Sequence, residues 1–237
     1  MNWTLHFFEA EGSLAAWRDR LIDEAHETFW RIERCLGHDI EMPPVDIVVQ
    51  RMHGPVIPEL GIVGMTLRRR CLAITLDPNN PNFEASMNAD AFSRTLTHEF
   101  HHCLRHHGVG YGMTLPEAMV SEGLADQFDR EVNGGNGQIW NHALSSEQWP
   151  SMLRRAQDAL QTKHYDHRLW FFGGQGFGNA EPIPRWTGYT IGYHMVAAYL
   201  EAVPEAKPSR MADTPADEVI SKAWRLLCEK MSGSRTS

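Results

Sequence analysis

The stretch “TLTHEFHHCLRHH”, residues 95–107, contains five of the thirteen histidines in the chain. On an α-helix, His98 and His102 are one turn apart and differ by about 40° around the axis, so a metal ion can bind between their rings. Glu99 lies beside them. A separate apolar stripe is expected to face the core, and it consists of Phe92, Leu96, Phe100, Cys103 and Leu104. The pattern predicts a helix over 89–107 with a metal-binding face.

The segment His98-Glu99-Phe100-His101-His102 follows the pattern His-Glu-x-x-His, in which two histidines bind zinc and the glutamate acts as a base. Helix histidines are often ordinary surface residues, so the motif needs the support of a third ligand. His106 lies about 12 Å along the helix axis from His98, too far to share a metal ion. His107 falls on the apolar side. His101, His106 and His107 are therefore predicted to face solvent or to make outer contacts.

A second motif, “SEGLADQF” at residues 121–128, offers the third ligand. Catalytic zinc sites commonly add a carboxylate to histidine ligands and leave one position for water. Glu122 begins a Glu-x-x-x-Asp pattern, and the nineteen residues between His102 and Glu122 include the glycine-rich turn “GVGYGMTLP”. The chain is therefore predicted to reverse and to bring Glu122 to the histidines. Asp126, one turn later, is predicted to accept the outer N–H of a ligand histidine.

Taken together, the two motifs resemble those of the gluzincin clan of zinc metallopeptidases, of which thermolysin is the best-known member. The wider string “HEFHHCLRHH…LPEAMVSEGLADQF…WTGYTIGYHMVAAYL” resembles a bacterial family of predicted zinc-dependent proteases catalogued as domain of unknown function 2268. This resemblance covers about residues 85–205. It implies a zincin-like active-site helix with Glu99 as the general base, and a Zn²⁺ ion bound by His98, His102 and Glu122. The metzincin pattern is disfavoured, because Arg and Gly stand where that group has Gly and a third His.

The chemistry of these residues predicts a zinc-dependent peptidase. Zinc lowers the pKa of its bound water from near 16 to about 7, and Glu99 can take the proton from that water and pass it to the leaving amine. Two alternatives stay open: a metal-stabilised binding or regulatory module without turnover, and a zinc hydrolase of small amides. Glu99 favours an enzyme, because a structural zinc site closes its fourth position with protein and needs no extra carboxylate.

Peptide hydrolysis also needs a donor for the developing oxyanion. The segment “WTGYTIGYHMVAAYL” contains three candidates, of which Tyr189 and His194 are favoured as catalytic residues, whereas Tyr193 can equally be a core residue. The preceding aromatic and glycine-rich segment “WFFGGQGFGNAEPIPRW” is interpreted either as a loop that contacts substrate or as a packed connection between helices. It does not have the glycine spacing of a nucleotide-binding loop, and no strand precedes it.

The periodicity of the whole chain predicts an α+β fold with a small antiparallel or mixed sheet beside a mainly helical body. A single domain is expected over 1–231, with an N-terminal helix and small sheet in 1–84, a helical catalytic part in 85–231, and a flexible tail in 232–237. Strands are predicted for “VDIVVQRM” and for a hairpin of “GIVGMTL” and “CLAITLD”. Either hairpin segment is a candidate edge strand for an extended peptide substrate. Besides 89–107, helices are predicted at 13–36, 115–132, 145–161, 164–171, 188–201 and 215–230.

Composition limits the partners. A formal net charge of −8 and a pI near 5.9 argue against nucleic acid or an anionic membrane surface, both of which need clustered basic residues. A peptide or protein substrate is expected instead, and the oligomeric state stays open. No basic, apolar leader opens the sequence and no window has 18 apolar residues, so a cytoplasmic protein without a pro-segment is expected. The four cysteines are widely spaced, which predicts reduced thiols.

Overall fold

The computed structural model describes residues 2–175 and 181–233. The predicted α+β class is confirmed, with one four-stranded mixed sheet in the described part of the chain. The strands are β1 (Trp3–Phe8), β2 (Val45–Arg51), β3 (Ile62–Arg68) and β4 (Cys71–Leu76). The helices are α1 (Arg18–Leu36), α2 (Phe83–Asn88), α3 (Ala91–Arg105), α4 (Leu115–Asn133), α5 (Trp149–Ala159), α6 (His167–Phe172), α7 (Thr187–Ala202) and α8 (Ala216–Gly233).

The sheet has the strand order β1-β2-β4-β3. Strands β1, β2 and β4 are parallel, and β3 runs antiparallel to β4 as the predicted hairpin requires. Strand β4 is therefore interior, and its six residues are all buried, whereas β3 lies at an edge. Strand β1 was not predicted, although its apolar residues Trp3, Leu5 and Phe7 alternate with more exposed neighbours, as expected of a half-buried strand.

The chain divides into two compact units. The first comprises Met1–Gly108 with Glu131–Asn133, and the second comprises Val109–Arg130 with Gly134–Ser237. Helix α4 contributes residues to both units. The expectation of one domain over 1–231 stays a prediction. Of the predicted tail, 234–237 lie outside the described residues, and the two residues before them end α8.

The core of the first unit joins its sheet to α1 and α3. The ring of Trp3 on β1 lies 5.1 Å from that of Phe29 on α1 and 4.9 Å from that of Phe100 on α3. The predicted apolar stripe of α3 is buried as expected. Helix α3 begins at Ala91 because Asp90 before it has left-handed backbone angles (φ 62°), which end the short helix α2.

In the second unit, α4 and α7 approach until their backbones touch. A Cβ atom on Gly123 would lie 2.2 Å from the carbonyl oxygen of Gly192, and a Cβ on Gly192 would lie 2.1 Å from that of Met119. Glycine at both positions is thus required by space. The close contact gives the helix that carries Glu122 a rigid neighbour, because no side chain separates the two backbones.

No helix among residues 2–175 and 181–233 is long and apolar enough to cross a membrane. None of the four cysteines, all of which lie in the described part of the chain, forms a disulfide bond.

Candidate metal centre

The histidine pair on α3 already has the spacing of two ligands of one ion. Nε2 of His98 and Nε2 of His102 lie 3.1 Å apart, and the rings meet edge to face at 81°. Two nitrogens bound to one tetrahedral zinc ion at ~2.05 Å would be about 3.3 Å apart. His102 is buried and His98 is half-buried. The predicted geometry of His-Glu-x-x-His on one helix face is therefore present.

Glu99 is a buried carboxylate on the same helix, with 7% of its surface exposed. Its Oε2 atom accepts a hydrogen bond from the hydroxyl of Thr66 on β3 at 2.8 Å. Because Glu99 lies next to His98 in the helix, its carboxylate belongs to the surroundings of the histidine pair. Sequence reasoning did not identify Thr66, which is 33 residues away in the chain.

Glu122 on α4 is buried, with its carboxylate held by a tyrosine. The Tyr111 hydroxyl donates to Oε1 of Glu122 at 2.6 Å. Burial raises the pKa of Tyr111, and the Glu122 carboxylate raises it further, so the phenol stays protonated and remains a donor. Ser121 donates to the main-chain oxygen of Tyr111 at 2.6 Å, which attaches the glycine-rich turn to α4.

One possible ligand atom from each of His98, His102 and Glu122 lies within 4.8 Å of the other two. The three residues predicted to bind metal are thus brought together, and they could hold an ion. Two imidazole nitrogens and a carboxylate oxygen are a ligand set of catalytic zinc sites, which keep a fourth position open.

Asp126, the predicted partner of a ligand histidine, is fully buried on α4. It accepts hydrogen bonds from Nε1 of Trp140, at 3.1 and 3.0 Å to its two oxygens, and from Nδ2 of Asn141 at 2.5 Å. These bonds connect α4 to the short 3₁₀ helix at Ile139–His142. The predicted bond from a ligand histidine to Asp126 stays a prediction.

The three residues of α7 that were considered as hydrogen-bond donors to the oxyanion have different surroundings. Tyr189 packs edge to face on Phe171, with ring centroids 4.9 Å apart. His194 instead meets Trp149 at 5.3 Å and His142 at 5.5 Å. Tyr193 is buried, and its hydroxyl donates to a main-chain oxygen at 3.1 Å. It therefore occupies a core position, which was the second of its two interpretations. The catalytic roles of Tyr189 and His194 stay predictions.

A group of aromatic rings around His167, close to Glu122, was not predicted from the sequence. His167 stacks on Phe171, with ring centroids 4.5 Å apart, and lies 6.2 Å from the ring of Tyr111. The hydroxyl of Tyr165 is 3.0 Å from Nδ1 of His167. Burial raises the pKa of Tyr165 to about 12, so its phenol keeps its proton. No ligand spacing marks His167 in the sequence.

The other histidines of the 95–107 stretch differ partly from expectation. His101 is fully buried and does not face solvent, because its side of α3 is covered. His107 is exposed, as predicted, although helical periodicity would place it on the apolar side. The reason is that α3 ends at Arg105, so the helical periodicity no longer places His107. His106 follows the last helical residue and is half-buried.

Burial of His194 leads to a prediction about pH. Burial first, and the charges of His142 and Lys230 next, lower the pKa of His194 to about 4. The unfolded chain therefore binds the proton first as the pH falls below ~6.5, and stability decreases between ~6.5 and about 4. His194 is expected to contribute about 2 kcal/mol to the loss of unfolding free energy between pH 7 and 5. Urea unfolding should show a correspondingly smaller loss for His194→Gln, and an unchanged loss would contradict the prediction.

The comparison with protein families agrees with these observations. A family described as “Predicted Zn-dependent protease (DUF2268)” matches residues 44–221. The chain belongs to this family. The part of the chain that matches the DUF2268 family contains the histidine pair, Glu99 and Glu122, whereas β1 and α1 precede it. The resemblance predicted from the motifs is thus confirmed at the level of the family. No match was found among curated proteins or among solved structures.

Proposed function

We propose that the chain is a zinc-dependent peptidase that hydrolyses peptide bonds. Its zinc ligands are His98, His102 and Glu122, and Glu99 is the general base. The observation that carries the proposal is a buried Glu99 carboxylate on the helix turn of His98 and His102, two members of a possible three-residue metal site. A purely structural site has no use for this second carboxylate. Bound zinc would supply a water of lowered pKa and a Lewis acid for the substrate carbonyl.

The chain's own residues have separate tasks in this reaction. Glu99 takes a proton from the attacking water and delivers it to the nitrogen of the leaving amine. The hydrogen bond from Tyr111 to Oε1 orients the Glu122 carboxylate as a ligand. Oriented ligands keep the ion at one position, which a general base with a fixed carboxylate requires.

The sheet edge offers a binding mode for the substrate. Of the two hairpin segments considered, “CLAITLD” forms the interior strand β4, so the edge is β3 with the sequence “IVGMTLR”. We propose that an extended peptide pairs with the backbone of β3. The exposed side chains of Met65 and Leu67, with 62% and 53% of their surfaces accessible, would make this binding favour apolar substrate residues.

The residue that donates a hydrogen bond to the oxyanion can be assigned by substitution. Tyr189 and His167 both pack on Phe171, and both neighbour Tyr111, which holds Glu122. We therefore add His167 to the predicted pair of Tyr189 and His194. Replacing the true donor is expected to lower kcat by ~100-fold or more and to spare zinc binding. The comparison of Tyr189→Phe, His167→Gln and His194→Gln identifies it, and three variants with wild-type kcat would remove this group of residues from the mechanism.

The two alternatives give different results in one experiment. Metal content and cleavage of a peptide library are measured on the same purified protein. A peptidase binds near-stoichiometric zinc and cleaves peptides, whereas a binding module holds zinc and cleaves none of them. A hydrolase of small amides would cleave short N-acyl amides but not the peptides. Absence of zinc would contradict all three functions. A cytoplasmic location and a peptide or protein partner remain part of the proposal.

A further inference from the structure

We infer that strand β3 positions the general base, through the hydroxyl of Thr66 and the absence of a side chain at Gly64. The inference rests on the proposed role of Glu99 and adds to it the residues that hold this carboxylate in place. Both residues lie in the first compact unit together with Glu99. They act as positioning residues, since neither needs to touch substrate.

Thr66 contacts both the main chain and the side chain of Glu99. Its Oγ1 atom lies 2.8 Å from the carboxylate oxygen Oε2 and also 2.8 Å from the main-chain oxygen of Glu99. A hydroxyl has a single hydrogen, and a charged carboxylate is the stronger acceptor, so the carboxylate is its main target. Because the same hydroxyl lies against the backbone and against the carboxylate of Glu99, it favours one side-chain rotamer.

Gly64 lies where any side chain would displace this rotamer. A Cβ atom at this position would be 2.4 Å from Cγ of Glu99 and 2.6 Å from Oε1. It would also be 2.7 Å from Cγ2 of Thr95. These distances are far below van der Waals contact, and the two nearest obstructing atoms belong to the Glu99 side chain. Glycine is therefore required here by the space that Glu99 occupies.

The register of the sheet explains why these two residues reach Glu99. Gly64 pairs with Ile74 and Thr66 pairs with Leu72 of β4. Residues two apart in a strand point to the same face, so both are directed towards α3 and Met65 between them points away. The register of β3 with β4 shifts between Thr66 and Arg68, so the shift lies beyond both Gly64 and Thr66. The interior position of β4 keeps β3 in register, and the register keeps Thr66 on Glu99.

The central test uses two substitutions at one position. Thr66→Val keeps the shape of the side chain and removes the hydroxyl, whereas Thr66→Ser keeps the hydroxyl. We expect Thr66→Val to lower kcat by about 10- to 100-fold, with KM and the zinc Kd within about 2-fold of wild type. Thr66→Ser is expected to restore kcat to within about 3-fold. A merely structural role would instead change zinc binding or affect both variants alike.

A second measurement does not depend on turnover. In crystal structures of the full chain loaded with zinc, Glu99 is expected to keep its rotamer in Thr66→Ser and to leave it in Thr66→Val. Gly64→Ala is expected to displace Glu99 further and to lower kcat by more than 100-fold, because the added Cβ overlaps the Glu99 side chain. If Thr66→Val retains both the rotamer and the kcat of wild type, the inference is overturned.

Failure of the proposed function has a different signature. If wild-type protein cleaves no peptide but Glu99 moves in Thr66→Val and stays in Thr66→Ser, the peptidase proposal fails and the positioning of Glu99 stands. If wild-type protein is active and Glu99 stays in place in both variants, the peptidase proposal stands and the inference fails.

Discussion

Glu99→Gln is expected to retain zinc at wild-type stoichiometry and to lose nearly all peptide hydrolysis, with kcat lower by about 100- to 10,000-fold. Glutamine has the size of glutamate but accepts no proton, so water activation and protonation of the leaving amine both fail. The three ligand residues are untouched. The measurement combines metal analysis with the cleavage rate of the best peptide from the library.

The matched control for this variant is Glu84→Gln, an identical change at an exposed position of α2 in the same compact unit. It is expected to leave both zinc content and kcat unchanged. Retention of turnover by Glu99→Gln would remove the mechanism as written, even if zinc is bound. Loss of zinc together with turnover would show that Glu99 is needed for the metal site, and the base would have to be another residue.

The second large effect is expected from His98→Ala. Removal of one of three protein ligands should weaken zinc binding by at least about 100-fold, because zinc sites draw on the order of 3 kcal/mol or more from each ligand. Peptide hydrolysis should disappear at zinc concentrations that saturate the wild type. His98 is half-buried, so its truncation leaves only a small cavity. Calorimetric titration with Zn²⁺ of the chelator-treated protein gives the affinity directly.

His106→Ala is the control for this experiment, since His106 is also half-buried and lies eight residues after His98, directly beyond the end of the same helix. Its zinc affinity is expected to equal that of wild type. Thermal unfolding adds an independent readout, because a ligand that binds the folded state raises Tm. Chelation should lower the Tm of wild type and His106→Ala but not that of His98→Ala. An equal loss of affinity in both variants would contradict the chosen ligand pair.

Local periodicity accounts for the parts of the fold that could be predicted. Helices α3 and α4 follow from apolar residues at three- and four-residue spacing and from the start signal at Thr114, which forms a capping box with Glu117. The hairpin of β3 and β4 follows from two apolar runs around Arg68–Arg70. The parallel pairing of β1 with β2 was not predictable in this way, because 36 residues separate the two strands and no local signal joins them.

The same division applies to the site. His98, Glu99 and His102 belong to one helix turn, so their spacing in sequence determined their arrangement, and this part of the prediction agrees with the structure. Glu122 was inferred from its chemistry and its distance along the chain. His167 carries no such mark, and it became a candidate only because α6 places its ring on Phe171 and beside Tyr111.

The sequence by itself determined the helix-borne elements of this protein: the two histidines, the glutamate between them, and the acidic residue on the following helix. Only the tertiary structure decided what holds the two carboxylates. Thr66 and Gly64 reach Glu99 through the register of a strand edge, and Tyr111 reaches Glu122 through the path of a glycine-rich turn. Helical spacing is a short-range property that a sequence displays directly, whereas strand register and turn paths depend on how the whole chain packs.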